Sequence, residues 1–121
     1  MSTSKQIAIV FRQPPYGGSF AREALDTAMA AAAFDQKVSL VFIGDGVWQL
    51  IANQQPQVIG QRSLEKQLAT LPLYDVDRLY ADAAALSQRG LHTGDLSLPV
   101  EILDSDAIAT LLKQQDVVLS F

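Results

Sequence analysis

Ile7-Ala8-Ile9-Val10-Phe11 is an unbroken run of apolar, β-favouring side chains, and Val38 to Ile43 repeats the pattern with Ser39 as its one polar member. A strand with one face in water alternates apolar and polar residues. Runs like these belong to strands covered on both faces, as in parallel sheets. Asp77 to Ala81, Leu98 to Leu103 and Val117 to Phe121 predict three further strands, and Pro99 puts the fourth at an edge or strand end. Helical stretches lie between them. Ser19 is placed to cap a helix from about Phe20 to Phe34, and Val47 to Ala52 reads as a short helix. Ser63 can cap another, with Leu64, Leu68 and Leu71 at i, i+4, i+7 and Pro72 as its stop. Asp82 to Arg89 is closed by Gly90, and Asp104 or Ser105 caps a last helix with Ile108, Leu111 and Leu112 inward. Strand and helix alternate throughout, which predicts a three-layer α/β/α domain around a five-stranded parallel sheet. At 121 residues, the whole chain from 1 to 121 is expected to form that single domain.

Composition removes several chemistries. There is no cysteine, hence no disulfide, no thiolate nucleophile, no persulfide carriage and no Cys-based metal or cluster site. One histidine, His92, excludes multi-histidine metal centres, so neither metal nor cofactor is expected. Thirteen acids against nine bases give a net charge of −4, a sign that repels phosphate backbones and argues against direct nucleic-acid binding. No targeting or membrane-spanning segment is read, so the expected location is the cytoplasm. The glutamine-rich stretch from Asn53 to Gln61, broken by Pro56, reads as a surface loop.

Ligands of such sheets bind beyond the carboxyl ends of the strands, which directs attention to Arg12 to Ser19, Gly44 to Trp48 and Asp82 to Ala84. Gly17-Gly18-Ser19 is either an anion-holding helix entrance or a tight turn; it matches no Walker A or dinucleotide fingerprint. Asp45 and Asp82 are either a carboxylate pair or, separately, a turn residue and a helix cap. His92 has no G-x-S-x-G serine to serve and reads as a loop histidine. Every residue from Ala28 to Phe34 is apolar, and a helix apolar all round must be covered all round. A partner subunit over Ala30, Ala31, Ala33 and Phe34 is the simplest cover, with an early helix end as the alternative. Trp48, beside Val47, Leu50 and Ile51, is a second candidate for such contacts.

Several segments together resemble the DsrE/DsrF-like family, in its TusC/DsrF branch. They are Ile7 to Phe11 leading to Pro15-Tyr16-Gly17, Arg22-Glu23-Ala24-Leu25-Asp26, the specific run Val41-Phe42-Ile43-Gly44-Asp45-Gly46-Val47-Trp48-Gln49-Leu50, Leu73-Tyr74-Asp75, Ala84-Ala85-Leu86 with Arg89-Gly90-Leu91, and Asp116 to Phe121. The resemblance implies a flavodoxin-like five-stranded domain. It also implies membership of a cytoplasmic TusBCD-type sulfur-relay heterohexamer with TusD-like and TusB-like sister subunits, supporting 2-thiouridine formation at the tRNA wobble position. In that family, a cysteine of the TusD-like subunit at the start of the helix after strand three carries persulfide. The matching position here is Asp82, so the resemblance implies a non-carrier subunit that is not itself an enzyme. A DsrF-type role in a DsrEFH complex of sulfur oxidation, and a stand-alone small-ligand-binding domain, are the alternatives the sequence leaves open.

Overall fold

The structure, a computed structural model, describes residues 5–14, 20–51, 70–74, 76, 78–96 and 98–121. Five strands, β1 (Gln6–Phe11), β2 (Lys37–Phe42), β3 (Arg78–Asp82), β4 (Glu101–Leu103) and β5 (Val117–Ser120), form one sheet in the order β4-β3-β2-β1-β5. Every pairing is parallel. The layers are those expected, but β5 returns past β4, β3 and β2 to lie beside β1, a different order from the β2-β1-β3-β4-β5 of flavodoxin-like domains.

Among the described residues, three α-helices, α1 (Phe20–Ala33), α2 (Ala83–Gln88) and α3 (Ser105–Lys113), flank the sheet. The first crossovers all step the same way, so right-handed connections put α1 and α2 on one face and the returning α3 on the other. The core divides accordingly. Ile9, Phe11, Leu40 and Phe42 pack against Ala24, Leu25 and Ala28 of α1 and Ala85 and Leu86 of α2. Val10 and Val41 point the other way, onto Ile108 of α3, with Leu111 and Leu112 half-buried around it. Alternate residues of both central strands are therefore buried on both sides, as the unbroken apolar runs require. Phe11 and Phe42 are register partners and stack with ring centroids 4.6 Å apart.

The ends of elements differ from the sequence reading for identifiable reasons. α1 stops at Ala33, one residue early. Gln36 donates to the Ala31 carbonyl at 3.2 Å and Asp35 to that of Ala32 at 3.0 Å, a Schellman closure with Asp35 left-handed at φ 62°. α2 ends in the same motif with a glycine: Leu91 donates to the Leu86 carbonyl (2.9 Å), Gly90 to that of Ser87 (3.1 Å), and Gly90 has φ 68°. β4 shrinks to Glu101–Leu103, because Pro99 has no N–H for the ladder. The expected helix over Val47 to Ala52 is instead a 3₁₀ helix, Gly44–Leu50, beginning three residues earlier. Pro72 lies inside a second 3₁₀ turn, Leu71–Tyr74. The Ser63-capped segment up to residue 69, the glutamine-rich loop and Gly17-Gly18-Ser19 fall outside the described residues.

Candidate functional site

At the carboxyl end of the sheet, the Gly44–Leu50 helix is set directly on β1 and β2. Ile43 donates to the Phe11 carbonyl at 3.0 Å and Gly46 to that of Ile43 at 2.8 Å. A Cβ on Gly46 would run into the Phe11 carbonyl, so only glycine permits this approach. Gly44 opens the turn at φ 51°. With three residues per turn, the helix sends Val47 and Leu50 into the core and leaves Asp45 and Trp48 on its outer side. The buried Gln49 donates through Nε2 to the Gln13 carbonyl at 3.1 Å, tying this helix to the loop after β1.

Asp45 and Asp82, the two carboxylates of this end, have separate partners. Asp45 Oδ1 accepts from Arg89 Nη2 at 2.9 Å and Nε at 3.3 Å, while Arg89 Nη1 donates to the Ala85 carbonyl at 3.0 Å. The guanidinium thus joins the 3₁₀ helix to α2. Asp82 ends β3 and caps α2, its Oδ1 accepting the Ala84 N–H at 3.3 Å. Each aspartate has the structural job of its local position, turn and cap, and no hydrogen bond joins them among the described residues. A general acid/base pair needs two carboxyls in contrasting, shared surroundings; here they are spent on a cation and on a backbone amide.

His92 lies in a loop, exposed. Its N–H donates to Asp95 Oδ2 at 2.8 Å, and the Asp95 N–H returns a bond to the His92 carbonyl at 2.9 Å, closing the 3₁₀ turn Thr93–Asp95. An open cleft of about 380 Å³ adjoins it, floored by Leu86, Leu91 and Ile102 and rimmed by Ser87, His92 and Thr93. Hydroxyls and one imidazole over an apolar floor offer no nucleophile activated by a base. Among the described residues, no group of three His, Asp or Glu side chains is gathered to hold a metal. No described helix is long and apolar enough to cross a membrane.

The apolar second half of α1 is divided by its packing. Ala28 is buried, Ala31 and Ala32 lean on the core, and Ala30 and Ala33 face outward. Phe34, which follows the last helical turn, is 77% exposed. The Leu71–Tyr74 turn packs beside α1, and there Leu73 is 83% and Tyr74 45% exposed. α1 runs antiparallel to the strands and Leu71–Tyr74 leads into β3, so Phe34, Leu73 and Tyr74 belong to the amino end of the sheet. Trp48, 38% exposed, stands at the opposite end. The residues singled out in the sequence therefore fall on two separate surfaces. The exposure of Leu73 and Tyr74 was not read from the sequence; Pro72, which holds them in a surface turn, was its only signal.

Comparison with known proteins covers nearly the whole chain. The model of the DsrE/DsrF-like family matches residues 5–121. A Protein TusC homolog of Pseudomonas aeruginosa is 43% identical over 97% of this chain and 98% of its own length. Protein TusC of Buchnera aphidicola is 38% identical over 97% of this chain and 99% of its own. Among solved structures, the ychN protein from E. coli superposes with a TM-score of 0.83 at 25% identity, covering 97% of this chain and 99% of that one. A protein from Methanobacterium thermoautotrophicum, with TM-score 0.73 and 13% identity, shares the fold.

Proposed function

The chain belongs to the DsrE/DsrF-like family, and from that membership we propose that it is the TusC-like, non-carrier subunit of a sulfur-relay complex. In this reading a TusD-like sister subunit bears the persulfide, a TusB-like subunit completes a cytoplasmic heterohexamer, and the sulfur goes to 2-thiouridine at the tRNA wobble position. The observation that carries the proposal is the 43% identity to a TusC homolog along almost the whole of both chains.

The chemistry of the chain is compatible with a relay subunit only if another chain holds the sulfur. A persulfide forms when a thiolate attacks a sulfur electrophile, and its outer sulfur must then be open to a second nucleophile. This chain has no cysteine to begin that sequence. At Asp82, where the family resemblance places the sister's cysteine, a carboxylate is engaged with the Ala84 amide. Its oxygen cannot form the chain of sulfur atoms that is passed on. What the chain offers is a rigid sheet with large apolar groups on its surface, the composition of a contact surface.

Ala30, Ala33 and Phe34, extended by Leu73 and Tyr74, are the proposed contacts at the amino end of the sheet, with Trp48 as a separate contact at the carboxyl end. Ala31 leans on the core, so a charge there would disturb folding as well as assembly. Co-expression with TusD-like and TusB-like chains, followed by mass measurement of the purified assembly, tests the proposal. A stable complex containing all three chains is expected. A chain that purifies alone whatever it is expressed with would refute it.

A further inference from the structure

We propose that the free edge of β5 pairs antiparallel with β5 of a second copy of this chain, joining two sheets into one about a two-fold axis. The proposal concerns the chain by itself and is independent of the relay reading.

The two edges of the sheet are built differently. β4 is three residues long, is entered from Pro99 and carries Glu101. Shortness, proline and charge are the usual means by which an edge is kept from pairing. β5 has none of them: Val117-Val118-Leu119-Ser120 contains no charge, no proline and no glycine. Its inner side is bonded to β1, since Phe121 donates to the Val10 carbonyl and accepts from the Arg12 N–H, both at 2.9 Å. Successive residues of a strand turn their backbone groups to opposite sides, so Val118 and Ser120 direct theirs away from β1. β5 has no second partner strand among the described residues. Val118 is 44% exposed on the α3 side of the sheet and Leu119 38% on the α1 side. Among the described residues, a strand laid along this edge therefore finds amides and carbonyls that no other strand takes, between two apolar lips.

Charge selects a second copy in antiparallel orientation. Asp116 is the acidic residue at the start of the strand, and its carboxylate already accepts the Gln6 N–H at 2.8 Å. Parallel self-pairing would bring two Asp116 carboxylates side by side, which is unfavourable. Antiparallel pairing parts them and sets each near the far end of the other copy's β5. There Arg12, exposed and without a side-chain partner among the described residues, stands next to Phe121. The edge is short, so the contact belongs to the small, concentration-dependent class of interface.

Sedimentation of the purified chain over a wide concentration range tests this. A monomer–dimer equilibrium is expected. Val118→Lys puts a charge on the edge, and Ser120→Pro removes an outward N–H that β1 does not use. Each is expected to raise the dissociation constant about tenfold or more, since each acts twice in the dimer. Circular dichroism should show both variants folded. Arg12→Glu, which leaves β5 untouched, should weaken the dimer as well. A wild-type chain that stays monomeric at every concentration, or folded variants that all dimerise like the wild type, would overturn the proposal.

Discussion

Single residues bear strain or close approach at two places, and each yields a stability prediction. Asp35 takes the left-handed conformation at the end of α1, at φ 62°, where glycine is the relaxed choice and α2 uses Gly90. Asp35→Gly is expected to raise stability by about 1 kcal/mol, read as a higher midpoint in urea unfolding. Gly46 has the opposite character. Its Cα lies against the Phe11 carbonyl, so Gly46→Ala must shift either the 3₁₀ helix or the end of β1. A loss of about 3 kcal/mol is expected by the same measurement, the upper range for overpacking. The Asp45–Arg89 pair is more exposed, and removing it should change stability little.

At the scale of elements, the central strands were legible because the sequence states their environment. Ile7 to Phe11 and Val38 to Phe42 have no solvent face, and the structure buries them from both sides. A cap at Asp104 or Ser105 was legible for the same kind of reason, a short acceptor placed before an amphipathic turn, and the structure decides for Asp104, which accepts the Ala107 N–H at 2.8 Å. Position in the sheet was not legible. Nothing in Val117 to Phe121 distinguishes an edge strand from a central one, and the place of β5 beside β1 follows from the α3 crossover. The 3₁₀ helix was misread because apolar residues at Val47, Leu50 and Ile51 suit either helical period, whereas the decisive constraint is a backbone contact at Gly46. Of the site residues, the roles of Asp45 and Asp82 as turn and cap could be read locally, but the Asp45–Arg89 bond joins residues far apart in sequence and could not. A prediction at this scale follows from Asp82. If its work is to cap α2, Asp82→Ala should cost about 1 kcal/mol and Asp82→Asn much less. Both variants should join the sister subunits as readily as the wild type in co-purification.

For the molecule as a whole, the question is which surfaces are for contact. Phe34 and Leu73 are the most exposed large apolar residues described, and they share the amino end of the sheet. Because neither supports the core, Phe34→Asp and Leu73→Asp should leave the unfolding midpoint nearly unchanged. Burying an unpaired charge in an interface should lower affinity for the sister subunits about tenfold or more, measured by titration of the purified chains. Folded variants that bind the sister subunits as tightly as the wild type would place the contact elsewhere.

The central claim is that sulfur travels on a neighbour while this chain, lacking any thiol, holds that neighbour in place. Native mass spectrometry of the co-expressed assembly, after treatment with a persulfide donor, tests it most directly. The account predicts one complex in which this chain keeps its unmodified mass and a cysteine-bearing sister gains sulfur. Added, transferable sulfur on this chain, or its absence from every complex that carries sulfur, would contradict it.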